Sequence, residues 1–159
     1  MNQQKLSIIA FSGDLDKLLA TFVIATGAAA SGCDVSVFTT FWATPFLQSH
    51  SKPPHKKGIL ETLFGFLLPK SPQDLKLSRF HFLGFGTWAM KYLMKKKNIA
   101  DLETLLVTAQ DLGVKINVCE MSMNLMGMER SDFCESHNLN FCGVAGFIQQ
   151  AENGQVIFI

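Results

Sequence analysis

The chain has 159 residues, enough for one domain with its own hydrophobic core and too few to expect a second. Fourteen Lys and Arg against 13 Asp and Glu leave a formal charge of +1 with no acidic or basic tail, so nothing global recruits nucleic acid, which needs a clustered positive surface. Hydrophobic residues make up 48% and charged residues 17%, little charge for a small monomer that must cover its own surface, and this points to a homo-oligomer that hides apolar residues between subunits.

The N-terminal Met1-Asn2-Gln3-Gln4-Lys5 lacks the apolar stretch of a secretory signal, so cytoplasm is the expected compartment. Leu6 to Phe11 is β-branched and apolar and ends at Ser12-Gly13-Asp14, the pattern of a buried parallel strand meeting a turn. Asp14 to Ser31 reads as a helix, with acids at its start and Gly32 as its stop. Its most lipid-like run, Leu18 to Ala30, falls short of the about 20 residues needed to span hydrocarbon. Val35 to Thr40 is the second strand, followed by Phe41-Trp42.

Regularity then lapses. Residues 43 to 81 gather prolines, with Pro53 and Pro54 adjacent, the basic Lys52, Lys56 and Lys57, and one apolar island from Ile59 to Leu68. With an amphipathic helix from Thr87 to Lys97, this forms an insertion at about 43–98 inside a single domain. Alternation returns with a helix from Asp101 to Leu112, a stop at Gly113, and a third strand from Val114 to Cys119. A short helix from Ser122, a turn near Ser131 to His137, a strand from Phe141 to Val144, a helix from Ala145 to Asn153 and a strand from Gln155 to Ile159 complete the pattern. The order predicts an α/β sandwich on a five-stranded, mainly parallel sheet.

Two decoys are set aside. Gly84-Phe85-Gly86-Thr87-Trp88-Ala89 matches a loose dinucleotide fingerprint, with a possible strand at 79–83 before it, but the acids that follow, Asp101 and Glu103, sit on a helix with no strand between. His50, His55, His81 and His137 are scattered, and neither metal-ligand spacing nor paired carboxylates emerge. No cofactor is expected.

Cys33, Cys119, Cys134 and Cys142 show no C-x-x-C spacing and read as reduced thiols. Cys119 differs from the rest, because it ends a strand where a helix begins, and unpaired amides at a helix start favour thiolate over thiol. Cys33, Cys134 and Cys142 read as packing. If the first and third strands are neighbours, the Ser12-Gly13-Asp14 turn faces Cys119, with Thr40, Phe41 and Trp42 supplied from the second strand and Ser122 capping the helix. Met121, Met123, Met126 and Met128 read as core or interface.

Three motifs in order, Ser12-Gly13-Asp14-Leu15-Asp16-Lys17, Phe38-Thr39-Thr40-Phe41-Trp42 and Cys119 through Gly127, resemble the DsrE/DsrF-like family over nearly the whole chain. The nearest branch is the one labelled sulfurtransferase or peroxiredoxin-like, and the second label finds no T-x-x-C peroxidatic setting here. The resemblance implies a flavodoxin-like three-layer sandwich, oligomeric assembly, and a sulfur relay in which a cysteine carries a persulfide. Cys119 matches the branch's cysteine position.

The expected function is therefore sulfur trafficking, as a sulfurtransferase or persulfide carrier that exchanges sulfur with donor and acceptor proteins or small thiols through Cys119. An alternative from another class is a non-enzymatic docking module that meets a partner or membrane surface through residues 52–70. Soft-metal binding by Cys119 and the methionines is the weakest reading.

Overall fold

Strand β1 (Lys5–Ala10) lies between β2 (Asp34–Thr39) and β5 (Gln155–Phe158), and beyond β2 come β3 (Lys115–Cys119) and β4 (Leu139–Cys142). All four pairings in the order β4-β3-β2-β1-β5 are parallel in this computed structural model, which describes residues 4–49, 75–79 and 84–159. The apolar island 59–68, the basic residues Lys52, Lys56 and Lys57, the surface expected at 52–70, His50, His55, His81 and positions 80–83 of the possible strand lie outside the described residues.

Helices α1 (Leu15–Ala30), α2 (Phe85–Lys96), α3 (Leu102–Asp111), α4 (Glu120–Leu125) and α5 (Val144–Gln150) complete an α/β fold of the flavodoxin-like sandwich type. None is long and apolar enough to cross a membrane among the described residues. Side chains alternate across the strands. Leu6, Ile8, Ala10, Val35, Val37, Ile116 and Val118 join Leu18 and Phe22 of α1 and Leu106 and Ala109 of α3 in the main core. The opposite face is smaller and partly polar. There Phe38, Cys119 and Phe147 cluster with Ile9 and Cys142, and the Ser7 and Ser36 hydroxyls share a 3.0 Å hydrogen bond. Phe147 comes from α5, within the connection that crosses from β4 at one edge to β5 at the other, and its ring stacks on Phe38 at 4.5 Å. Such stacking adds to the about 1.5–3 kcal/mol that burial of a large apolar side chain contributes.

Local chemistry sets the helix ends. The chain leaves α1 through Gly32 at φ 88°, a left-handed turn that a Cβ would strain. At the start of α1, the Leu15 N–H donates to the Lys76 carbonyl at 2.8 Å, and the Asp16 carboxylate accepts from the Ser78 N–H at 2.9 Å and from its hydroxyl. The segment from 76 to 78 is thus tied to the first turn of α1. Asp101 caps α3 by accepting the Thr104 N–H at 2.9 Å. Hydrogen bonds from the Thr104 side chain and backbone hold the Asp101 carboxyl below its ordinary value against a smaller opposing effect of burial. A lowered carboxyl pKa stabilises the fold above the unfolded value, about 3.9, and that stabilisation is lost as pH falls through the folded value. Asp101→Ala is expected to cost about 1 kcal/mol in urea unfolding at neutral pH, with the gap to wild type closing in acid.

Three expectations need correction. β1 and β3 are not neighbours, because each connection from β1 through β4 steps the same way and only α5 reverses direction. The strand-order reversal therefore lies between β1 and β5, where Phe11 packs against Phe158 at 5.8 Å and against Phe41 at 5.4 Å. The helix after Cys119 starts at Glu120, not at Ser122, so Ser122 lies inside its first turn. The fourth strand is also shifted back, to Leu139–Cys142, and Val144 opens α5.

Candidate functional site

β3 delivers Cys119 to the carboxyl edge of the sheet, and the chain turns directly into α4 with Cys119 as its N-cap at φ −70°, ψ 111°. The first amides of the helix then face the sulfur. Burial alone would push the thiol up. Hydrogen bonds from the Ser122 hydroxyl, the Ser122 N–H, the Thr40 hydroxyl and the Met121 N–H together outweigh it and bring Cys119 below the ordinary thiol value of 9.0. The thiol is fully buried at 0% exposure.

The two hydroxyls are coupled. Thr40 Oγ1 and Ser122 Oγ lie 2.8 Å apart in a buried hydrogen bond. Each hydroxyl has one proton, so while one donates to the other, only one remains for the sulfur. Ser122 therefore does not cap α4 through its side chain. Its hydroxyl belongs to the Thr40 and Cys119 cluster.

The remaining expected residues divide by strand order. Thr40 lies beside Cys119 because β2 pairs with β3. Phe41 and Trp42 follow it, and Phe41 adopts φ 46°, a left-handed conformation unusual for an aromatic residue. The Trp42 side chain is exposed. Ser12, Gly13 and Asp14 follow β1, one strand farther away, so they do not face the thiol across a crevice. They form a turn of their own, with the Ser12 hydroxyl donating to Asp14 Oδ2 at 2.9 Å and the Asp14 N–H donating to Ser12 Oγ at 3.2 Å. Their link to the site runs through Gly13, where a Cβ would collide with the Trp42 carbonyl oxygen. Gly13→Ala is expected to destabilise the protein by about 1–3 kcal/mol in urea unfolding followed by tryptophan fluorescence, since backbone must shift to admit the methyl.

Cys142 is the neighbour that the residue pattern did not reveal. It is the in-register partner of Cys119 across β3 and β4, joins the same cluster, and is half-buried. Burial, then the negative charges of Cys119 and Glu120, push its thiol up. Met123, Met126 and Met128 pack into the main core instead of converging on the sulfur, while Met121 is exposed. Cys134 Sγ meets Ser136 Oγ at 2.9 Å, and His137 Nδ1 meets Gln110 Oε1 at 3.3 Å. A cleft of about 960 Å³ lined by Leu15, Lys91, Met94, Lys95, Asp101 and Leu102 contains none of the residues around Cys119.

The model of the DsrE/DsrF/DrsH-like family matches residues 2–159. The chain belongs to this family. Among curated relatives, the uncharacterized protein YrkE of Bacillus subtilis is 38% identical over 153 residues, covering 96% of this chain and 94% of its own. The sulfur carrier protein DsrE2 of Allochromatium vinosum is 32% identical over 166 residues, covering 98% of each chain. Solved structures agree on the fold. The ychN protein of E. coli superposes with a TM-score of 0.56 at 10% identity, over 99% of this chain and 100% of that one. MTH1491 of Methanobacterium thermoautotrophicum, titled a protein of unknown function, gives 0.54 at 13% identity over the same shares. In this DsrE-like chain the Met121 amide and Cys142 were hidden from residue patterns, since one is a backbone group and the other becomes a neighbour only through strand register.

Proposed function

We propose that this DsrE-like protein traffics sulfur, as a sulfurtransferase or persulfide carrier, with the Cys119 thiolate as the acceptor. The observation that carries the reading is the convergence of two amides and two coupled hydroxyls on one buried sulfur. The family and a relative named as a sulfur carrier support it. The thiolate attacks the outer sulfur of a sulfane donor such as thiosulfate. The Cys119 Sγ–S bond forms, the donor S–S bond breaks, and sulfite leaves with the bonding pair. A second thiol then removes the outer sulfur, and no metal or organic cofactor enters the balance. The helix amides hold the anion that forms each time sulfur departs.

Mass spectrometry after incubation with thiosulfate or polysulfide tests the reading. A gain of about 32 Da, one sulfur atom, is expected in wild type and absent in Cys119→Ala. No adduct, or one that survives the substitution, overturns it.

The surface favours assembly and docking as accompanying properties. Val144 and Ile148 of α5 and Val156 and Phe158 of edge strand β5 are exposed apolar residues, as a homo-oligomer contact requires. On α2 the exposed Phe85, Trp88 and Tyr92 rings form a ladder at 5.7 and 5.8 Å, with Lys95 and Lys96 in the last turn. This ladder favours the second reading, a docking module for a partner or membrane surface, to which residues 52–70 would add. Sedimentation velocity reads the subunit number. Pull-down and vesicle co-sedimentation of a chain lacking 52–70 and carrying Trp88→Ala read docking, with unchanged binding counting against it.

A further inference from the structure

Cys119 is sealed within its own chain, while the next thiol along the sheet reaches solvent. We infer that Cys142 is a second sulfur-bearing group, which takes the sulfane sulfur from a Cys119 persulfide and presents it at the surface. This rests on the reading of Cys119 as a persulfide carrier and adds the route by which its sulfur leaves.

Geometry comes first. Cys119 and Cys142 are Cα partners on adjacent parallel strands, and they share the cluster with Phe38 and Phe147, so both side chains stand on the same face. Neighbouring strands lie about 4.8 Å apart. That spacing falls inside the range of about 4.4–6.8 Å over which two cysteine Cα atoms accommodate a sulfur–sulfur bond. Exposure separates the two ends of the route, since loading Cys119, at 0% exposure, requires a local opening, whereas an acceptor thiol reaches the partly open Cys142 without one.

The step is a transfer without net oxidation. Cys142 loses its proton to water, and its thiolate attacks the outer sulfur of Cys119–S–SH. A Cys142 Sγ–S bond forms as the Cys119 Sγ–S bond breaks, and Cys119 departs as a thiolate into the donors from Thr40, Met121 and Ser122. The opposed acidities of the two thiols suit this division, because a less basic thiol leaves faster and a more basic thiolate attacks better. The packing role first assigned to Cys142 explains its place in the cluster but not its pairing in register with the most polarised thiol of the chain.

The full chain is loaded with sodium tetrasulfide below one equivalent, quenched with iodoacetamide at intervals, and sulfur is assigned to each cysteine by fragment masses. Discharge to glutathione is followed in parallel. In wild type, sulfur is expected on Cys119 first and on Cys142 later. Cys142→Ser and Cys142→Ala are expected to load Cys119 normally but to discharge to glutathione about tenfold more slowly. Cys119→Ser is expected to load Cys142 about tenfold more slowly. Discharge at the wild-type rate from both Cys142 variants overturns the relay and leaves Cys119 as a carrier. Accumulation of a Cys119–Cys142 disulfide with release of hydrosulfide also overturns it. Failure of wild type to load Cys119 removes the carrier reading itself, which separates the two failures. An unchanged Cys119 alkylation rate in the Cys142 variants shows that their first site is intact.

Discussion

Phe147→Ala is expected to cost about 3–5 kcal/mol in urea unfolding and, at the same time, to speed alkylation of Cys119. Both effects follow from one placement. Phe147 is the buried side chain through which α5 reaches the second face of the sheet, where its ring lies on Phe38 and in the same cluster as Cys119. Removing it leaves a void that a short helix fills poorly, and it opens the cover over a thiol that is otherwise fully buried. A merely structural residue would lower stability without changing Cys119 reactivity under native conditions. Alkylation by iodoacetamide, read by mass at the Cys119 peptide well below the unfolding midpoint, distinguishes the two. Phe147→Leu keeps most of the volume and is expected to restore most of the protection.

The second large effect is a coupled one. Thr40→Val or Ser122→Ala alone is expected to move the Cys119 thiol pKa little, because either remaining hydroxyl can turn its proton to the sulfur. The double variant removes both and loses one hydrogen bond to an anion, worth about 1.5–3 kcal/mol. The thiol then rises by about one to two pH units, and alkylation at neutral pH slows by about tenfold or more. Equal and additive shifts from the single variants would refute the shared-proton arrangement. A related pH effect follows from linkage. Because the folded Cys119 value lies below 9.0, thiolate formation stabilises the fold increasingly as pH rises from the folded value toward the unfolded one. Wild type should therefore gain on Cys119→Ala across that interval, stay level above it, and lose the gain as pH falls.

Residue pattern read the elements better than their arrangement. Short apolar and β-branched runs announced the strands, and the Ala-rich α1 and the Asp101-capped α3 fell within a residue or two of their expected bounds. Strand order was not legible, since hydrophobic alternation says which face is buried and not which strand lies alongside. This one gap moved Ser12, Gly13 and Asp14 from the mouth of the site to the far side of β2. Ser122 misled for a different reason. Serine is a favoured helix cap, yet its hydroxyl is engaged by Thr40, from a segment about 80 residues away. The junction at Cys119 was legible because it depends on local sequence, a strand passing into a helix. The place of Cys142 beside Cys119 was not, because it depends on the register of β4 against β3.

The pairing of β1 with β5 bears on how the chain reaches this arrangement. Leu6 lies opposite Gln155, and Ile9 opposite Phe158, so the β1 side of the sheet is completed only when the two ends of the described chain meet. Such a long-range closure is entropically costly and comes late. Until then β1 is an edge with a row of open amides and carbonyls, the kind of surface on which other chains nucleate aggregates. In native-state hydrogen exchange, the β5 amides should open at lower free energy than those of β2, and the loss of β5 should betray itself first as a tendency of this edge to self-associate.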